Sequence, residues 1–242
     1  MLVFEFVLTH AFVLKRLFYD FVTHLRSQNL PALLNGLVIF VKTPARPMVT
    51  RFDDLDLTKQ YSYADYLTWT FQERLELIKG YVFPMSAPAR RHQQISWNIT
   101  TSFVDYFRSS PCKVYAAPFD VRLPRTPTAT NQTVETVVQP DLCVICDLGK
   151  LDDRGCVGAP DLVVEILSPG NTKKEMKQKF DVYQEAGVRE YWLIQPDDRN
   201  VFQYVLNEGG IFIGLHPLTD EDELVSRAFP DLRIDLAGTF AD

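Results

Sequence analysis

The chain has 242 residues, 46% of them hydrophobic and 23% charged, with a formal net charge of -6. That length fits one domain with appendages or two small domains, and the apolar fraction suits a sizeable core. A chain this acidic is a poor passive coat for nucleic acid, because counterion release from basic side chains supplies such affinity. An enzyme that reaches phosphate through metal ions is not excluded.

Residues 1–47 differ from the rest. Residues 1–18 are rich in Leu, Val and Phe, but His10, Lys15 and Arg16 interrupt them. A transmembrane helix needs about 20 mostly apolar residues, so no stable membrane insertion is expected; a surface helix or a peripheral anchor are the competing readings. Glu5 comes first and the basic pair last, the reverse of a secretory signal. Thr43-Pro44-Ala45-Arg46-Pro47 reads as a linker and Met48 follows it directly. The expectation is an N-terminal extension over residues 1–47, poorly ordered or not native, with translation starting at Met48 and one domain over 48–242.

Farther along, Ser62 is placed to cap a short helix carrying Tyr63, Tyr66, Leu67 and Trp69. Residues 75–78 and 81–83 flank Lys79-Gly80, which predicts a tight hairpin. Ile95, Ile99, Phe103 and Phe107 recur at every fourth position and predict a helix over 92–107. Residues 114–123 and 137–147 each read as one strand, with a polar loop over 124–133 between them. Residues 161–167 are apolar enough for a strand covered on both faces. Ser168-Pro169-Gly170 then turns the chain, Thr172 with Glu175 forms a capping box, and Gly187 ends the helix. A fourth strand follows over 190–194, then a hairpin around Gly209-Gly210. This succession predicts an α/β (α+β) fold, a mixed central sheet flanked by helices.

Cys143 and Cys146 read as Cys-x-x-Cys, but in a strand positions three apart face opposite sides. With no second pair at ligand spacing, these two, Cys112 and Cys156 are read as small buried hydrophobes in a reducing cytoplasm.

Chemistry concentrates where charge sits among apolar residues. Asp161, Val163 and Glu165 share one face of the third strand. A carboxylate in such a strand is expensive to bury unless it is paired or bound to a metal. Asp141 follows Pro140 at the start of the second apolar strand. If the strands are neighbours, Asp141 and Glu165 converge and suit a hard cation, Mg²⁺ or Mn²⁺. Met176, Lys179, Phe180 and Tyr183 form one helical stripe, in which Lys179 is out of place unless its amine reaches an anion. Two carboxylates holding a metal and a lysine stabilising the charge that builds on phosphorus are what phosphodiester hydrolysis needs. Asp161 is expected at the edge of this site, with a cap or salt bridge as the alternative. Tyr183 is expected in the core. Arg90-Arg91 and Lys173-Lys174 are placed to grip phosphates if they flank the cleft.

Pro140-Asp141 followed by Glu165 resembles the PD-(D/E)xK nuclease superfamily. More closely, the chain resembles the Uma-two family of restriction-endonuclease-like proteins over residues 61–206. The matching stretches are Leu75-Glu76-Leu77-Ile78-Lys79-Gly80, His92, Val138-Gln139-Pro140-Asp141-Leu142, residues 158–169, Lys179 with Tyr183, and residues 186–194. The resemblance implies a restriction-endonuclease-like fold and a cytoplasmic, Mg²⁺- or Mn²⁺-dependent endonuclease that hydrolyses DNA, working as a homodimer by analogy. It also brings Glu76 and His92 into the catalytic set with Asp141, Glu165 and Lys179. The superfamily places a lysine two residues after the acidic residue, where this chain has Leu167; Lys179 on the following helix takes its part. The family tends to carry Asp one turn before that lysine, where this chain has Glu175, a helix cap or a further group at the site edge. The alternative is a catalytically inactive nuclease fold kept for nucleic-acid or protein binding.

Overall fold

The chain, seen here in a computed structural model, divides into two compact units, Met1–Pro47 and Met48–Asp242. Residues 48–168 and 173–241 are described, together with a small hairpin in the first unit, β1 (Ala32–Leu34) antiparallel to β2 (Leu37–Ile39). The expectations for residues 1–18, for the linker at 43–47 and for the turn and cap at 169–172 lie outside the described residues.

After a 3-10 turn at Phe52–Asp54, the second unit has a single-turn helix, α1 (Tyr63–Tyr66), where the Ser62 N–H donates to Asp65 Oδ2 at 2.9 Å. Then comes the expected hairpin, β3 (Leu75–Ile78) antiparallel to β4 (Tyr81–Pro84). Its two turn residues, Lys79 and Gly80, have φ of 52° and 84°, the left-handed pair that a two-residue hairpin turn requires. A Cβ at Gly80 would also stand 2.9 Å from Gln60 Cβ. Helix α2 (Arg90–Phe107) buries Ile95, Ile99, Phe103 and Phe107, the predicted stripe.

Each strand expected over 114–123 and 137–147 is in fact two strands. The first divides into β5 (Lys113–Ala116) and β6 (Val121–Arg122), the second into β7 (Val137–Val138) and β8 (Leu142–Ile145). Pro118 and Pro140 lie in the breaks, and proline has no N–H to give to a ladder. The two breaks meet, with the Ala117 N–H donating to the Asp141 carbonyl at 3.2 Å. At this crossing the chain passes twice between two sheets.

Next come β9 (Leu151–Asp152), β10 (Gly155–Val157), β11 (Leu162–Ile166), helix α3 (Lys173–Ala186), β12 (Glu190–Gln195), β13 (Asn200–Leu206) and β14 (Phe212–Gly214). The remaining elements are β15 (Leu218–Thr219), β16 (Glu223–Val225), β17 (Arg233–Asp235) and α4 (Leu236–Thr239). The larger sheet has the order β14-β13-β12-β11-β8-β5, with β15 also on β13. Only β11 and β12 run parallel in it, as a strand–helix–strand unit through α3 allows. The smaller sheet has the order β4-β3-β7-β6-β10-β9.

The larger sheet is covered on both faces. Leu142, Val144, Leu162, Val164 and Trp192 pack with α2 and with Leu224, Leu232, Ile234 and Phe240 from the C-terminal elements. Cys143, Ile145, Val163 and Tyr191 pack on the other face with Val182 and Tyr183 of α3 and with Ile78, Val121 and Val138 of the smaller sheet.

The reading of the cysteines needs correction. Cys112 and Cys146 form a disulfide, while Cys143 and Cys156 are free and buried. The antiparallel register pairs Lys113 with Ile145, so the next residues out, Cys112 and Cys146, face each other across the ladder with Cα atoms 3.9 Å apart. The spacing within Cys143-x-x-Cys146 contains no trace of that partner.

Candidate active site

Strand register delivers the two central carboxylates. β8 and β11 pair antiparallel with Val164 opposite Leu142, and one further step sets Glu165 opposite Asp141. Asp141 shares the parity of Cys143 and Ile145, Glu165 that of Val163, so both project toward α3. Asp141 is anchored at the strand edge, its Oδ2 accepting the Ile166 N–H at 2.7 Å.

A third carboxylate comes from the smaller sheet. Glu76 lies two residues before Ile78 on β3 and faces the same inter-sheet core. Its Oε1 accepts the Gln139 N–H at 2.7 Å. From α3, the Lys179 ammonium reaches both glutamates, donating to Glu165 Oε1 at 2.9 Å and standing 3.0 Å from Glu76 Oε1. One turn on, the Tyr183 hydroxyl donates to Glu165 Oε1 at 2.6 Å. His92, near the start of α2, sets Nε2 3.3 Å from Asp141 Oδ1, while its Nδ1 is buried without a partner.

Glu76 is 1% exposed, and Glu165, Lys179 and His92 are each 7% exposed, so these charges interact in a dry setting. Burial pushes the Glu165 carboxyl up to about 7; Lys179 opposes that rise, and Glu76 and Asp141 add to it. Burial alone would lower the Lys179 ammonium, but Glu165 and Glu76 outweigh it and hold its pKa above the ordinary lysine range. His92 follows the same logic: burial works against its protonation, yet the hydrogen bond and charge of Asp141 raise its pKa above the ordinary value.

These groups line a cleft of about 160 Å³, with Arg74, Gln139, Glu175 and Met176 also in its wall. Asp141, Glu165, Lys179, Glu76 and His92 are therefore brought together, and Glu175 stands at their margin. Asp161 is not, which corrects its expected place at the site edge. It shares the parity of Glu165 but sits at the opposite end of β11, roughly 13 Å away at strand rise. There its Oδ2 accepts the Cys146 N–H at 2.8 Å, and its Oδ1 stands 3.1 Å from Arg189 Nη1. Tyr183, expected only as core, is buried and also bonded to Glu165. Gln139 and Arg74 escaped sequence reading; the available signal was a polar residue directly before Pro140 and an arginine directly before β3.

Asp141 and Glu165 offer hard oxygen donors to a cation. Among the described residues no three His, Cys, Asp or Glu are grouped to hold a metal by themselves. Two carboxylates plus water and substrate oxygens suit Mg²⁺, which keeps much of its hydration. Three carboxylates against one lysine leave surplus negative charge, which adds to the rise that burial gives the Glu165 pKa. The donor set therefore fits a divalent cation.

A family model described as "Putative restriction endonuclease", Uma2, matches residues 63–237. An uncharacterized protein of Synechocystis is 25% identical over 166 residues, covering 67% of this chain and 83% of that protein. A crystal structure described as a "putative nuclease belonging to DUF820", from Anabaena variabilis, superposes with a TM-score of 0.59 at 16% identity, covering 74% of this chain and 97% of that one. The last likeness shows the fold, a nuclease fold of the restriction-endonuclease type.

Proposed function

The chain belongs to the Uma2 family of restriction-endonuclease-like proteins, and from that premise we propose that the cleft hydrolyses phosphodiester bonds of DNA with a divalent cation, Mg²⁺ or Mn²⁺. The observation that carries this reading is the convergence of Asp141, Glu165 and Lys179, distant in the chain, on one cleft. Asp141 and Glu165 would hold the cation, which supplies polarisation of the phosphate and a bound water of lowered pKa. Lys179 is kept protonated by its two glutamates and faces the place where negative charge grows on the phosphoryl oxygens. Tyr183 holds Glu165 Oε1, leaving the other oxygen to turn toward the cleft. His92 and the Ile166 N–H fix the Asp141 carboxylate from two sides. No covalent enzyme intermediate is needed.

The test is nicking of supercoiled plasmid by purified protein with Mg²⁺ or Mn²⁺. Asp141→Ala and Lys179→Ala should each lower the rate by about 100-fold or more. Variants that cut like the parent would overturn the assignment. Tight Mn²⁺ binding that is lost in Glu165→Gln separates this reading from a nuclease fold kept for recognition alone.

A further inference from the structure

Lys179 is spoken for. Both of its carboxylate contacts are internal, and it is 7% exposed, which confines it to the reacting centre. The cleft wall holds a second permanent cation, Arg74, and its situation differs. It is exposed, and its guanidinium rests on a neutral amide, donating from Nε at 3.3 Å and from Nη2 at 2.9 Å to Gln139 Oε1. Gln139 is itself held on three sides. Its Nε2 donates to Asp120 Oδ1 at 2.8 Å and to the Tyr66 hydroxyl at 3.3 Å, and its backbone N–H donates to Glu76 Oε1. The Arg74 backbone is fixed too, its carbonyl accepting the Met85 N–H at 2.9 Å. The amide uses two donors along one edge of the guanidinium fork and leaves Nη1 to face a ligand.

We infer that Arg74, oriented by the Gln139 carboxamide, clamps a phosphate of the bound nucleic-acid strand beside the one being cut. A planar fork held by a locked neutral acceptor is already oriented for phosphate oxygens and keeps its charge available to them. Nearby Asp120 draws on that charge, but burial raises the Asp120 pKa and its carboxylate is bonded to Gln139 rather than to Arg74. Gln139 also links the clamp to Glu76, so the distance between clamped and reacting phosphates is set by one residue. This inference rests on the nuclease reading and adds a binding residue to it.

The experiment measures binding of a short fluorescein-labelled DNA duplex by anisotropy in Ca²⁺ across a salt series, and cleavage in Mg²⁺, for the parent chain, Arg74→Ala, Arg74→Lys and Gln139→Leu. Arg74→Ala should raise Kd and KM about tenfold. It should also flatten the dependence of log K on log salt by about one, the loss of one phosphate contact. Arg74→Lys should restore the salt slope but not the full affinity, because a point charge replaces the fork. Gln139→Leu should weaken binding with the slope unchanged, the charge being present but unheld. A parent that neither binds nor cuts the duplex overturns the nuclease reading and this inference together. A parent that binds and cuts, with Arg74→Ala matching it in Kd and salt slope or losing only kcat, overturns the clamp alone.

Discussion

In the proposed reaction Glu165 is a cation ligand, and its environment predicts a pH profile. Burial, opposed by Lys179 and reinforced by Glu76 and Asp141, holds its carboxyl near 7, so below that value it is largely neutral and a poor cation ligand. Nuclease activity at limiting Mg²⁺ should therefore fall as pH drops from about 8 to about 6, and saturating metal should move the midpoint to lower pH by competing with the proton. Removing the Tyr183 hydroxyl takes away a donor that favours the ionised carboxylate, so Tyr183→Phe should move the midpoint to higher pH; pH–rate profiles of the two proteins check both statements. Asp141, Glu165 and Lys179 were legible in the sequence because each is a charge where its neighbours demand an apolar side chain. Glu76 was visible only through family resemblance. Its hairpin alternates no more plainly than an exposed one, and the partner that makes it a buried acid lies about a hundred residues away at Lys179. Gln139 stood in a matching stretch, but its role was not read, because that role depends on which groups surround it.

At the level of elements, helix α2, the β3–β4 turn and strands β11 and β12 followed from periodicity and turn chemistry. The divided strands did not, because hydrophobic alternation continues through a break when the chain leaves one buried sheet for another. The C-terminal elements beyond residue 216 were also unread, since their short strands carry little periodic signal. They are tied down by a buried carboxylate. Glu190, at the start of β12, accepts from Trp192 Nε1 and Gln203 Nε2 on one oxygen and from Ser226 Oγ and the N–H groups of Arg227 and Ala228 on the other. Every one of these partners is a neutral donor, and Glu190 is fully buried. Glu190→Ala strands several donors at once and should cost roughly 3 kcal/mol or more, read as a lower denaturant midpoint. Glu190→Gln, which keeps one acceptor oxygen, should lose less.

For the molecule as a whole, the two larger sheets among the described residues were anticipated only as a single mixed sheet with flanking helices, and the disulfide was not anticipated. Cys112–Cys146 closes a segment that includes the crossing at Pro118 and Pro140, with a sequence separation of 34 residues. Alkylation of the denatured, unreduced protein should label Cys143 and Cys156 alone, and all four cysteines after reduction. Cys112→Ser should lower stability by about 2–4 kcal/mol, measured by chemical denaturation without reductant.

Glu76 hangs from one layer, Asp141 and Glu165 from the other, and Lys179 is the rivet between them. The contact between Lys179 and Glu76 exists only while the two layers are closed on each other. On the proposed reading, a chain whose layers have slipped apart while each keeps its own ladder loses the Glu76 contact that holds Lys179 in the cleft. Competence returns only on full closure, so a titration with mild denaturant should silence the protein before its secondary structure is seen to melt.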